Sequence, residues 1–212
     1  NIVVGTDLIN ENFTIDLRDG GRSFARDNNV ISSEVVVGYG AQVTSGVGGD
    51  GDDFIFGNGL ANVLQGAAGN DFLTGNENDD IMLGGPGDDY MIHYFGDGHD
   101  SVSDTAGQDT LCFIGRGPFE VDDLFNDYLF TRNGNFLDIS LTLDGGPEDG
   151  SVRIDTGVNR NHLVESLELW HEGELRQRIS LFDLWNDMSD GQTTRFMLAE
   201  GSDSFGRLVA PA

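Results

Sequence analysis

The sequence has one cysteine, Cys112, among 212 residues, which excludes an intramolecular disulfide. Beside Phe113 it reads as a small buried hydrophobe. Basic side chains are scarce: 11 face 37 acidic ones, a formal net charge of −26. Such a surface repels nucleic acid and anionic membranes. No apolar run is long enough to span a bilayer, and there is no amino-terminal signal-peptide pattern. His-Glu-x-x-His is missing, and His93, His99, His162 and His171 lack the spacing of a helical zinc site. Gly-x-Ser-x-Gly is missing too, which removes the strand-to-helix nucleophile elbow. The glycine-rich loops carry no Lys or Arg to cradle phosphate, and Trp170 and Trp185 read as core before they read as a sugar platform. No catalytic motif is left, and the chain reads as a non-enzyme.

What is present is a period of nine. Residues 48–56, 57–65, 66–74, 75–83 and 84–92 form five consecutive units, and after a two-residue slip at His93-Tyr94 the frame resumes at 95–103 and 104–112. The sixth position is Asp53, Asn62, Asp71, Asp80, Asp89, Asp100 and Asp109; the eighth is Ile55, Leu64, Leu73, Met82, Met91, Val102 and Leu111. With 38% hydrophobic residues overall, seven apolar eighth positions have a chance of roughly one in a thousand. The fourth position is Gly51, Gly69, Gly87, Gly98 and Gly107, with Leu60 and Asn78 as departures. Glycine there permits a positive φ, and Asn tolerates one better than most residues.

Each unit therefore reads as a tight turn ending in a carboxylate, followed by a short strand with one inward side chain. A disordered acidic linker has no reason to keep that inward residue. Two units make a coil, so Asp53, Asp71, Asp89 and Asp109 stack in one column and Asn62, Asp80 and Asp100 in the other. Carboxylates stacked in this way repel unless a cation lies between them. Hard oxygen donors without a thiolate or imidazole cluster select calcium.

These units resemble the nonapeptide calcium-binding repeats of the RTX, or haemolysin-type, family, with its Gly-Gly-x-Gly-x-Asp-x-apolar-x pattern. The resemblance implies a parallel β-roll that places each calcium between successive turns on one side, held by two sixth-position carboxylates and four backbone carbonyls. On that pattern the first site draws on Gly48, Asp50 and Asp53 with Ala67, Gly69 and Asp71. The second draws on Gly66, Ala68 and Asp71 with Gly85, Gly87 and Asp89; the third on Gly84, Pro86 and Asp89 with Thr105, Gly107 and Asp109, across the slip. The opposite column would use Gly57, Gly59, Asn62, Gly75, Asn76, Glu77, Asn78, Asp80, Gly96, Gly98 and Asp100. It is the weaker one, because Asn62 is neutral, Leu60 resists the glycine conformation and the Asp80 to Asp100 pairing spans the slip. Three to five ions are expected.

Around the roll, residues 1–47 read as calcium-free strands capping its open end, a looser likeness to the lead-in of serralysin-type proteases. Phe13, Ile15 and Leu17 alternate with polar residues, Val35-Val36-Val37 forms a second apolar run, and turn signals follow at Gly38 and Gly40. Residues 113–188 read as an antiparallel β cap with a short helix. Strands at 128–132 and 136–143 flank a type I′ turn at Asn133-Gly134; Val152 and Ile154 mark another strand; Leu167, Leu169, Leu175 and Ile179 suit a hairpin around Glu172-Gly173; and 181–188 suits a helix carrying Leu184 and Trp185. Residues 189–212 read as a polar tail, similar in character to an uncleaved type I secretion signal. The chain opens at Asn1 within what reads as a strand, so it is expected to be a fragment or trimmed product of something larger.

The resulting expectation is an all-β protein: a calcium-binding module of a secreted bacterial protein, exported by type I machinery and folding on calcium outside the cell or at its surface. Two alternatives are the non-catalytic part of a secreted hydrolase or epimerase, with further domains of a larger chain as partners, and an extracellular surface- or polysaccharide-binding module using Phe54, Phe56 and Phe72.

Overall fold

Each glycine-rich turn delivers the chain into a strand of three to five residues, and strands two units apart pair in parallel. In the computed structural model the described residues are 2–3, 12–18, 22–27, 30–36, 42–114, 128–141, 150–157, 164–171 and 173–196. Ahead of the repeats lie β1 (Ile2–Val3), β2 (Asn12–Asp16), β3 (Arg22–Asp27), β4 (Val30–Val36) and β5 (Ser45–Val47). The repeats form β6 (Phe54–Phe56), β7 (Val63–Gln65), β8 (Phe72–Thr74), β9 (Ile81–Leu83), β10 (Tyr90–Tyr94), β11 (His99–Ser103) and β12 (Thr110–Ile114). After them come β13 (Tyr128–Asn133), β14 (Phe136–Leu141), β15 (Ser151–Asp155), β16 (Ser166–His171), β17 (Glu174–Ser180), α1 (Leu181–Asp187) and β18 (Thr193–Phe196). This is an all-β roll with one short helix among the described residues.

Two nine-stranded sheets result. One runs β1-β5-β7-β9-β11-β15-β14-β13-β18 and the other β17-β16-β12-β10-β8-β6-β2-β3-β4. Their facing sides share one core. All seven eighth-position residues, from Ile55 to Leu111, are buried, and Ile15, Leu17, Ile154 and Leu167 continue the same stack beyond the repeats. Register explains the continuity: Ile15 pairs with Ile55, Leu111 with Leu167 and Val102 with Ile154. Burying one apolar side chain per nine-residue unit contributes about 1.5–3 kcal/mol each, which no single three-residue strand can hold alone.

Among the described residues the flanks extend both sheets edge to edge. β2 and β5 pair in parallel with β6 and β7, and β15 and β16 pair in parallel with β11 and β12. Antiparallel strands finish both edges of the second sheet and one edge of the first, whose other edge is β1, parallel to β5. The slip at His93-Tyr94 leaves the columns aligned: β10 lengthens to five residues and pairs with all five of β12, while Asp97 N–H bonds the Tyr94 carbonyl to close the extra turn (3.1 Å).

Details of the flanks differ from their sequence reading. Asn133 pairs with Phe136, so the two-residue loop is Gly134-Asn135, one residue later than expected. Gly134 has φ +62 and Asn135 is not among the positive-φ residues, which departs from the type I′ pattern of two positive φ values. Thr193–Phe196, inside the stretch read as a polar tail, is the edge strand against β13. α1 ends at Asp187 and carries buried Leu184 and Trp185, with Ser180 capping it through the Asp183 N–H. Trp185 is buried beneath the Arg132 guanidinium, and the half-buried Trp170 donates to Glu168 at 2.8 Å. Leu175 is exposed. Val37, Gly38, Gly40, Leu143, His162, Glu172 and residues 197–212 lie outside the described residues.

Candidate metal centre

The sixth-position side chains are buried despite their charge: Asp53, Asp71, Asp80, Asp89, Asp100 and Asp109 are each at most 3% exposed. One oxygen of each is held by the fold. Asp53 N–H donates to Asp71 Oδ1 (2.8 Å), Asp71 N–H to Asp89 Oδ1 (2.8 Å) and Asp89 N–H to Asp109 Oδ1 (2.9 Å). Asp109 N–H in turn donates to Glu165 Oε2 (2.8 Å), so Glu165, just before β16, stands where a further repeat would put its aspartate. The opposite column repeats the step from Asn62 to Asp80 (2.7 Å) and from Asp80 to Asp100 (2.9 Å).

The other oxygen is left over. Oδ2 of Asp71, Asp80, Asp89 and Asp109 is buried with no hydrogen-bond partner among the described residues. An orphaned charged oxygen in the interior costs several kcal/mol unless a cation or proton meets it. First-position glycines make room at that spot: a β-carbon at Gly48, Gly66, Gly75 or Gly84 would collide with Oδ2 of Asp53, Asp71, Asp80 or Asp89. At Gly48 and Gly66 it would also meet the carbonyl oxygen of the next coil's first residue, Gly66 or Gly84. Orphaned carboxylate oxygens, carbonyls and a glycine cradle make a hard-oxygen donor set that fits calcium.

Without a cation, burial pushes the Asp71 carboxyl up to about 7, against the lowering effect of the Asp53 N–H. Burial likewise pushes Asp80, Asp89 and Asp109 up to about 8, and neighbouring carboxylates add to it. The folded columns thus hold protons near neutral pH that a divalent ion would displace.

The turns show why glycine recurs. Gly69, Gly87, Gly98, Gly107 and Asn78 at the fourth position all have positive φ; Leu60 does not, and neither does Gly51, where the expected conformation is not found. In the Leu60 unit the Asn58 side chain forms the turn instead, accepting the Leu60 N–H at 2.9 Å. In four units the second position also takes positive φ, unnoticed in the sequence: Gly85 and Gly96 do so, and so do Ala67 (φ 92) and Asn76 (φ 67), whereas Gly49, Asn58 and Thr105 do not.

The two columns are not equivalent. Along Asp53, Asp71, Asp89 and Asp109, the carbonyls of Gly51, Ala67, Gly69 and Gly87 abut Gly69, Gly85, Gly87 and Gly107 of the next turn. Pro86 O accepts the Gly69 N–H at 3.0 Å, and its second lone pair stays available. Gly49 N–H bonds Asp53 Oδ2 (2.6 Å), Asp50 is exposed, and Ala68 N–H bonds Gly49 O (3.0 Å). In the opposite column nitrogen donors take the oxygens. Asn76 Nδ2 donates to Gly57 O (3.0 Å), Asn78 Nδ2 to Gly59 O (2.9 Å), and Asn58 N–H to Asn62 Oδ1 (2.7 Å). Glu77 is exposed beside Gly59. At the far end, His93 Nδ1 sits 2.7 Å from Asp100 Oδ2.

Residues 46–59 and 56–91 match the family model for the RTX calcium-binding nonapeptide repeat (4 copies). The chain carries RTX calcium-binding repeats. The match ends at residue 91, and two units with the same geometry follow the slip. No curated protein matches the chain. Beside the RTX turns the sequence left three participants unread: Asp104, His93 and Glu165. Asp104 departs from the glycine of its repeat position, His93 lies in the slip and Glu165 lies beyond the repeats, and the fold brings all three to the carboxylates. Cys112 is buried, and burial pushes its thiol up to about 12, consistent with an unreactive packing residue.

On the outside, seventh positions of one sheet form an aromatic row. Phe54 and Phe72 lie 5.7 Å apart by ring centroid and Phe72 and Tyr90 5.8 Å, with Phe56 6.1 Å from Phe72. Phe54 is half exposed.

Proposed function

We propose that the RTX repeats bind three calcium ions along the column of Asp53, Asp71, Asp89 and Asp109, and that this binding drives folding of the roll. The observation that carries this reading is the series of buried, unpartnered Oδ2 atoms facing glycine cradles. Asp53 with Asp71, Asp71 with Asp89, and Asp89 with Asp109 would hold the ions, with carbonyls drawn from Gly48, Gly66, Ala67, Gly69, Gly84, Gly85, Pro86, Gly87, Thr105 and Gly107. Calcium supplies the positive charge that buried carboxylates require, so its binding free energy becomes folding free energy. The Asp80 column is the poorer one, because the amides of Asn76 and Asn78 and the His93 imidazole already meet its oxygens. It takes at most one further ion, at Asp80 Oδ2.

With so much self-repulsion the calcium-free chain stays expanded, and calcium at about 10⁻⁴–10⁻³ M, the range of extracellular modules, condenses it. That switch suits a protein exported unfolded by type I machinery from a bacterial cytosol and folded outside; the calcium-binding module then belongs to a larger secreted protein. Far-UV circular dichroism of the chelated chain, titrated with calcium and separately with magnesium, tests the reading. A cooperative gain of β signal with calcium alone is expected. Full β structure in chelator, unchanged by calcium, would overturn it.

The Phe54-Phe72-Tyr90 row favours a second role for the same module, as a platform for an extracellular polysaccharide whose sugar rings stack on aromatic faces. Affinity electrophoresis through acidic and neutral polysaccharides should show retardation of the calcium-loaded chain and its loss in Phe54→Ser; equal mobility of the two proteins removes this role.

A further inference from the structure

The first position of the repeat is glycine in five consecutive units: Gly48, Gly57, Gly66, Gly75 and Gly84. In the last unit it is Asp104, and the side chain turns inward, only 2% exposed. Its Oδ1 accepts the Gly85 N–H at 2.9 Å. One oxygen each of Asp89, Asp104 and Asp109 lies within 4.8 Å of the other two. Two oxygens on a single calcium are at most about 5 Å apart, twice the bond length of roughly 2.3–2.6 Å, so all three carboxylates can reach one ion.

Proximity of acids alone would be weak ground. Here Oδ2 of Asp89 and of Asp109 are both buried and without a hydrogen-bond partner among the described residues. Asp89 Oδ2 and Asp104 Oδ1 also face the same point, since a β-carbon at Gly84 would meet both. The orphaned oxygens and the added carboxylate therefore converge on one cradle. Interior pairs such as Asp71 with Asp89 have two side-chain charges and a glycine at this position.

We infer that Asp104 turns the last cradle of the column into a calcium site with three side-chain carboxylates, the tightest in the roll and the first to fill. The inference rests on the calcium reading above. Affinity of oxygen sites for calcium rises with ligand charge, so a third carboxylate sets this site apart from the two before it. The ion would sit next to Asp109, whose N–H is held by Glu165 (2.8 Å). The first calcium bound would thus join the repeats to β16 before the remaining coils close.

Calorimetric titration of calcium into the full chain tests this, comparing the parent with Asp104→Asn, Asp104→Gly and Asp71→Asn. The parent should show one step tighter than the rest. Asp104→Asn and Asp104→Gly should weaken that step about tenfold or more while the total number of ions stays the same. The glycine variant restores the residue other repeats use, so it keeps the turn and separates lost charge from lost folding. Asp71→Asn should leave the tight step in place and disturb the weaker ones. A tight step unchanged in both Asp104 variants, or abolished by Asp71→Asn alone, overturns the inference. Absence of any calcium binding in the parent would sink the calcium reading itself.

Discussion

His93 Nδ1 meets Asp100 Oδ2 at 2.7 Å, with both side chains 1% exposed, at the oxygen that in Asp80 is left unpartnered. The imidazole, donating from Nδ1, stands where a cation would otherwise be needed. It also packs edge-on against Phe113, with ring centroids 4.9 Å apart. Removing it leaves a cavity and a buried carboxylate without its donor. His93→Ala should therefore lower stability by about 3 kcal/mol, read from urea unfolding at saturating calcium. The variant should also gain more stability per decade of calcium than the parent, because Asp100 Oδ2 then becomes available to an ion. An unchanged calcium slope would show that the histidine does not stand in for one.

Asp71 differs from Asp53 in being shared. It follows one turn and precedes the next, whereas Asp53 begins its column in the repeats. Asp71→Asn should weaken two calcium sites and Asp53→Asn one, counted by calorimetry. Equal losses would mean that the sites are not strung along common carboxylates.

Ala67 occupies a left-handed conformation, φ 92, where other units use glycine. An L side chain there costs about 1–2 kcal/mol, and glycine gives back part of the gain through its larger unfolded-state entropy. Ala67→Gly should stabilise the calcium-loaded roll by about 0.5–1 kcal/mol in urea unfolding. Destabilisation would mean that the methyl group packs more usefully than the backbone strains.

In chelator, the raised carboxyls make stability depend on pH in an unusual direction. Asp71 titrates near 7 and Asp80, Asp89 and Asp109 near 8 in the folded chain, against 3.8 ordinarily. Between those values the folded state binds more protons than the unfolded one, so stability falls as pH rises. The contribution is complete below about pH 4 and is lost on passing through about 7–8. The calcium-free chain should therefore show more β structure and a higher urea midpoint at pH 5 than at pH 8. Saturating calcium should reverse that order, and calcium binding at pH 7 should release protons. Identical midpoints in chelator at the two values would refute the buried-carboxylate account.

The periodic part of this molecule was legible because each of its rules is local. Leu73 must be apolar and Asp71 acidic for reasons contained in one unit, and the register then follows from repetition. The Gly134 turn and the 181–187 helix were also near-neighbour problems, apart from a one-residue shift in the turn. What stayed hidden depended on pairings across coils. Glu165 meets Asp109 over 56 residues, and nothing in its own neighbourhood marks it as the next carboxylate of a column. Asp104 opens the seventh unit where five others open on glycine, and the fold places it against Asp89. The positive φ of Ala67 was concealed by the residue itself, since alanine there gives no sign of the glycine it replaces.

The hydrogen bonds among the sixth-position aspartates all point one way. Each buried amide is satisfied by the carboxylate of the coil after it, from Asp53 through Asp109 to Glu165. The exposed fifth-position ladder runs the opposite way, from Asn70 N–H back to Asp52 and from Asp88 N–H back to Asn70. The roll therefore has a polarity. In these two side-chain ladders, a coil lost from the amino-terminal end strands a surface amide that water can serve, whereas a coil lost from the carboxyl-terminal end strands a buried one. By that difference, growth of the structure is favoured from the β12–β16 junction toward the amino terminus, each new sixth-position amide closing on a carboxylate already in place.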